Sequence, residues 1–213
     1  MADRGLRHLR TAGLVVTLGT AAGLGAALLH GGGGNAATGR PQVIRAQIRW
    51  DAGVKAAPSF SLRDQNGRRL SPAAWRGRPV VLTFLDSVCK RACPLEGRVL
   101  TDLQRQARGT RMVLAVVGVD PWSETPATAR KFAARLHWAG DWHWFLGPLG
   151  ALRPVWRSYD IGVRRVPGDV VHSLALYVID AHGDMRAGYL FPFSAADVAH
   201  DVRALAAAKT AGS

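Results

Sequence analysis

An α/β fold with a mixed central sheet flanked by helices is predicted by three observations. Two short, largely apolar runs, residues 79–85 and 112–119, are rich in β-branched residues and have the length of strands buried on both faces. Each is followed by an amphipathic stretch carrying a proline near its start, Pro94 and Pro126, which suits the first turn of a helix. A late apolar pair, residues 174–179 and 185–189, flanks His182-Gly183 and reads as an antiparallel hairpin. Strand, helix, strand, helix and then a hairpin can share one sheet only if it mixes parallel and antiparallel neighbours.

The chain divides before this domain begins. Arg4, Arg7 and Arg10 precede a charge-free apolar stretch over residues 12–29, the layout of a signal anchor. Roughly 18 apolar residues lie at the short end of what crosses a bilayer. The arginines would hold the N-terminus in the cytoplasm and place the rest on the extracytoplasmic side. Residues 1–30 therefore read as basic segment plus transmembrane helix in a single-pass cell-membrane protein. Asn35-Ala36-Ala37 keeps a cleavable signal open as the rival reading. Residues 31–57 read as a glycine-rich flexible tether and extended lead-in, and residues 58–213 as the folded domain.

Within the domain, residues 60–62 and 69–70 flank Gln65-Asn66-Gly67, a hairpin signal, and residues 72–75 suit a helical turn. The first buried strand leads into a helix from Pro94 to about residue 107, with Cys93 as its cap. The second ends at Asp120-Pro121, and Thr125-Pro126 starts a helix to about residue 136. Residues 142–145 suggest a short strand and residues 149–159 another helix. Ser194, with Asp197 three residues later, caps a last helix to about residue 208. This order fits a thioredoxin-like fold, in which the loop leaving the first central strand carries working cysteines.

Charge narrows the partners. The net charge of +13 comes from 24 Arg and 4 Lys, scattered rather than clustered, and no nucleic-acid motif accompanies them. Nucleic acid is therefore excluded as a partner, while an anionic membrane surface or an acidic protein is compatible.

The chemistry rests on Cys89 and Cys93, the only cysteines, at the end of the first buried strand. So short a loop gains little from a structural disulfide, which points to reactive thiols. Side chains four apart on a helix are about 5–6 Å apart at Cβ, wider than a disulfide's roughly 3.8 Å. A metal bridging the sulfurs tolerates that gap better. The helix N-terminus favours negative charge at Cys93, and Lys90 and Arg91 act in the same direction. Thiolates serve a soft cation and disulfide exchange alike, so a third group must decide. His172, at the start of the segment leading into the late strand, would complete a site of two sulfurs and one nitrogen. Asp120 is read as ending its strand or as an acid near the sulfurs. His143 is read as a satisfied semi-buried residue, His137, His182 and His200 as surface or turn residues, and Met112 and Met185 as unpersuasive further ligands.

Three motifs in order, CKRACP at residues 89–94, DPWSETP at 120–126 and His172 leading into YVIDAHG, resemble the Sco/SenC family over about residues 58–205. These are membrane-tethered, thioredoxin-like proteins that deliver copper to cytochrome c oxidase. The resemblance implies copper, as Cu(I) or Cu(II), held by Cys89, Cys93 and His172. It also implies the oxidase's copper-bearing subunit as partner, and a metallochaperone rather than an enzyme. The chain departs from the family pattern at Lys90 and Arg91, at Val171 before the histidine, and at Asp86 and Ser87. Positive charge beside the sulfurs stabilises thiolates and repels an incoming cation. The alternative is therefore a thiol-disulfide oxidoreductase acting through Cys89 and Cys93 on the target's copper-site cysteines and served by a thioredoxin-like reductant. A peroxidase has less support, since Asp86 stands where its threonine would be.

Overall fold

The structure is a computed structural model that describes residues 44–210. The expected anchor over residues 12–29 and most of the tether lie outside the described residues. Among the described residues no helix is long and apolar enough to cross a membrane.

The elements follow in the order β1 (Ile48–Arg49), β2 (Leu62–Arg63), β3 (Arg69–Leu70), a 3-10 turn (Pro72–Trp75), β4 (Val80–Leu85), α1 (Ala92–Gln106) and β5 (Val113–Gly118). Then come α2 (Pro126–Arg135), β6 (Asp141–Phe145), α3 (Leu149–Ser158), β7 (Val163–Val166), β8 (Asp169–His172), β9 (Ala175–Ile179), β10 (Met185–Leu190) and α4 (Ala195–Thr210). One six-stranded sheet runs β1-β10-β9-β4-β5-β6. Strands β4, β5 and β6 are mutually parallel, whereas β9 pairs antiparallel with β4 and β10 antiparallel with β9. The sheet is therefore mixed, as the apolar runs and late hairpin require.

Alternation along β4 assigns its two faces. Val81 and Leu85 join a core with α1, α2 and α4, through Leu100, Phe132 and Val202. Val80, Leu82 and Phe84 join a second core with α3, through Leu152, Val155 and Trp156. Both faces are covered, so the central strands carry almost no polar side chains. Each such fully buried side chain contributes roughly 1.5–3 kcal/mol over its exposed state.

Most predicted elements form within two residues of their expected bounds. The Asn66-Gly67 hairpin closes with Gly67 at φ +77°, and the Asp64 carboxylate accepts from the Asn66 and Arg68 amides. The extended lead-in adds the edge strand β1 against β10. There a Cβ at Gly188 would stand 3.2 Å from Ile48 Cβ, a tight contact that glycine avoids where the lead-in passes.

Two expectations need correction. First, α1 starts at Ala92, not Pro94, so Cys93 lies inside its first turn rather than capping it. Second, residues 163–172 form the hairpin β7–β8 around Pro167-Gly168, with Gly168 at φ +73°. His172 is the last residue of β8, not part of a plain loop before the late strand.

Candidate metal centre

The parallel pairing of β4 with β5 carries both strands to the same edge of the sheet, where three segments meet. These are the loop after β4 with Cys89, the Asp120-Pro121 corner after β5, and the β7–β8 hairpin ending in His172. Cys93, buried in the first turn of α1, has its Sγ 3.5 Å from Nε2 of His172 across 79 residues of sequence. The His172 Nδ1–H donates to the Ser173 carbonyl at 3.0 Å, which fixes the tautomer and turns the Nε2 lone pair towards the sulfur. Burial lowers the histidine's pKa, so the ring stays neutral and able to donate that pair.

Both cysteines are free thiols, yet they are not equivalent. Cys89 is half-buried and accepts hydrogen bonds from the Cys93 thiol, from the Arg91 amide at 3.4 Å, and from the Cys93 amide. Led by the Cys93 thiol, these donors pull Cys89 down to about 5, against the opposing effect of burial. Cys89 therefore lies over the N-terminal amides of α1 as the anion they favour. Cys93 moves the opposite way: the hydrogen bond it gives to Cys89 and its burial keep it protonated. The Asp86 amide also donates to Cys93 Sγ at 3.5 Å. The sequence suggested thiolate character at Cys93 as well. The structure assigns the charge to Cys89, which receives the Cys93 hydrogen bond, while burial keeps Cys93 protonated.

Two sulfurs and a neutral imidazole form a soft, three-donor set of the kind that suits copper ions. Ligands at roughly 2.0 and 2.3 Å from one ion stand roughly 3.5–3.7 Å apart, and the Cys93–His172 separation of 3.5 Å matches that. Among the described residues no three His, Cys, Asp or Glu side chains already form a cation cage. Three-point coordination therefore needs a shift of Cys89 or of the hairpin bearing His172. The Arg91 guanidinium reaches Asp169 of that hairpin at 4.0 Å, a loose tie between the cysteine loop and the hairpin. Arg165 of the same hairpin stacks 4.8 Å over the half-exposed Trp122 ring.

Glu124, inside the DPWSETP motif, was not singled out from the sequence, yet it holds the centre together. Its carboxylate accepts from the Ser87 amide at 2.9 Å, the Asp120 amide at 3.0 Å and Trp144 Nε1 at 3.0 Å. One buried side chain thus ties the cysteine loop, the corner after β5 and strand β6. Burial, aided by the charge of Asp86, pushes its pKa up to about 8. A Cβ at Gly118 would stand 2.4 Å from Glu124 Oε2, so glycine makes room for this carboxyl. The only available signal was an acid between a strand end and a helix cap. Asp86, also buried, is pushed up to about 6.

Glu96 was missed too. It lies one turn beyond Cys93 on α1, fully buried, and its Oε2 has no partner among the described residues. Its Oε1 lies 2.6 Å from Thr83 Oγ1, which itself reaches the Ala175 carbonyl at 3.0 Å. A protonated Glu96 lets the chain α1 to β4 to β9 use each proton once. Burial raises its pKa from 4.5 to about 8. The stability contributed by neutral Glu96 is thus fully present below the unfolded value and lost as pH rises through about 8. Glu96→Gln, which mimics the neutral form, is expected to cut the stability lost between pH 5 and pH 8.5 by about 2–4 kcal/mol in urea denaturation. An unchanged pH dependence would show that Glu96 is already ionised in the folded state.

The remaining residues take bland roles. His143 bonds Asp64 at 3.1 Å and Asp141 at 3.0 Å, so both ring nitrogens are satisfied. Asp120 ends its strand, its Oδ1 accepting from the Trp122 and Ser123 amides. Met185 is buried at the start of β10.

Comparison with known proteins agrees with this geometry. The family model described as SCO1/SenC matches residues 51–207. "Protein SCO2 homolog, mitochondrial" from Bos taurus is 31% identical over 206 residues, covering 89% of this chain and 73% of its own. The crystal structure of Arabidopsis thaliana ScoI with copper bound superposes with a TM-score of 0.62 at 20% identity, over 69% of this chain and 95% of that one. BsSco, described as having a disulfide switch and as a member of the Sco family of cytochrome c oxidase assembly proteins, gives 0.63 at 22% identity, over 76% and 98%. At these identities the two structures establish the thioredoxin-like fold. With the family match spanning most of the described chain, this protein belongs to the SCO1/SenC family.

Proposed function

We propose that the protein is a membrane-tethered copper carrier, in which Cys89, Cys93 and His172 take up one copper ion and deliver it to the copper-bearing subunit of cytochrome c oxidase during assembly. The observation that carries this reading is the 3.5 Å approach of His172 Nε2 to Cys93 Sγ, with Nδ1 committed to a backbone carbonyl. Relatives with copper bound and with a role in oxidase assembly support the cargo and the partner. Copper is the substrate here. Cys89 offers a ready thiolate, Cys93 gives up its proton as it ligates, and incoming thiolates of the acceptor displace the three donors stepwise. The basic and apolar residues 4–29 would anchor the domain on the extracytoplasmic side.

The split between the thiols favours a second reading, reduction of the target's copper-site cysteines. The Cys89 thiolate would attack a target disulfide and release one target thiolate. Cys93, on losing its proton, would then attack Cys89, release the second, and leave a Cys89–Cys93 disulfide.

Titration of the reduced protein with Cu(I) against a competing chelator separates the two. A carrier binds one equivalent and weakens by at least about a hundredfold, roughly 2.7 kcal/mol, in each of Cys89→Ser, Cys93→Ser and His172→Ala. Indifference to His172→Ala, with loose binding throughout, would favour the reductase.

A further inference from the structure

A groove of about 920 Å³ runs between α1 and α2 and has Cys89 at one end. One wall carries Arg98 and Arg105, seven residues and so two turns apart on one face of α1, and the other carries Lys131 and Arg135, one turn apart on α2. Lys90 stands beside Cys89 at the mouth. The sole carboxylate on the lining is Asp102, and it is already paired with Arg105 at 2.6 Å. Lys90, Arg98 and Lys131 are exposed and have no acidic partner among the described residues. The floor is apolar, formed in part by Phe132 and Leu136, which approach α1 closely because residue 97 is glycine. A Cβ there would stand 2.4 Å from Leu136 Cδ1. Across Cys89, on the hairpin side, the excess of positive charge ends, because Asp86, Asp120 and Asp169 there balance Lys90, Arg91 and Arg165.

We infer that this groove docks an extended acidic segment of the protein partner, bringing that partner's reacting groups to Cys89. The inference rests on the reading that the centre exchanges with another protein. Several unpaired cations around one thiolate favour an anionic occupant and would speed its approach. The shape favours a polypeptide over a bilayer. A concave slot between two helices admits a strand of chain with its carboxylates against both walls, whereas a flat lipid surface meets only the rims. The apolar floor gives such a segment a place for an alternate side chain.

The test uses the reduced, metal-free full chain and a fluorescent, cysteine-free peptide of alternating Glu and Gly, with a Gln-for-Glu peptide as control. The acidic peptide is expected to bind at least about tenfold more tightly than the neutral one, and to weaken by about tenfold in Arg98→Glu/Lys131→Glu. It should also weaken as salt rises from about 50 to about 300 mM. Arg153→Glu/Arg157→Glu on α3, across the sheet, carries the same net charge change and should bind the peptide like the parent. Equal loss in both double variants would reduce the effect to net charge and overturn the inference. Binding of phosphatidylglycerol vesicles, lost only in Arg98→Glu/Lys131→Glu while the peptide fails to bind, would assign the groove to a membrane and overturn it too. Neither substituted pair touches the thiols or His172, so Cu(I) titration of the same variants reports separately on the carrier reading. Normal copper binding by the parent protein, with no binding of the acidic peptide to it, sinks the docking inference alone.

Discussion

Iodoacetamide added to the reduced protein at pH 7 is expected to alkylate Cys89 and leave Cys93 unmodified. With Cys89 at about 5, roughly 99% of it is thiolate at that pH, and thiolate is the reacting species. Cys93 is buried to 1% exposure and held as a thiol by the hydrogen bond it donates and by desolvation. The labelling rate of Cys89 against pH should show a midpoint near 5. In Cys93→Ala that midpoint should climb by at least about one unit, since the Cys93 thiol is the largest contributor to the depression. The sign for stability follows from the same asymmetry. A lowered thiol contributes stability that is present above its unfolded value near 9 and is lost as pH falls through about 5. Equal labelling of both cysteines, checked by peptide mass mapping, would contradict the split.

Glu124→Ala should destabilise the fold strongly. It removes the shared acceptor of the Ser87 amide, the Asp120 amide and Trp144 Nε1. Stranding a buried donor costs roughly 1–3 kcal/mol. Three at once should destabilise the fold by about 4 kcal/mol and lower Tm by about 10 °C. Glu124→Gln keeps one oxygen for the two donors on Oε1 but turns an amide donor towards Asp120, so it should cost about half as much. Because Ser87 begins the loop to Cys89, Glu124→Ala should also speed alkylation of Cys93. Loss of less than about 1 kcal/mol in urea denaturation would mean the loop is held by something else.

The sequence pointed to Cys89, Cys93 and His172 because each came with a marker, and the structure brings His172 Nε2 to 3.5 Å from Cys93 Sγ. The cysteines ended an apolar strand, and the histidine preceded another. The sheet was equally legible, since strands buried on both faces leave short apolar runs rich in β-branched residues. What was hidden depended on contacts rather than pattern. Pro94 marks a first helical turn without saying which of its positions it fills, so the start of α1 was misplaced by two residues. Hairpin β7–β8 is mostly charged or half-exposed, with no apolar alternation to reveal it beyond Pro167-Gly168. Glu96 and Glu124 passed unnoticed because burial of a carboxyl leaves no trace in composition. Only Thr83, Trp144 and the close backbone at Gly118 disclose that each is enclosed.

Copper X-ray absorption on the protein loaded with one equivalent of Cu(I), compared with the His172→Ala variant, tests most directly whether three distant side chains share one ion. Two sulfur scatterers and one imidazole nitrogen at roughly 2.0–2.3 Å are predicted, with the imidazole signal absent from the variant. Identical spectra for the two proteins would mean that the ring 3.5 Å from Cys93 never becomes a ligand, and would remove the basis for a three-donor copper carrier.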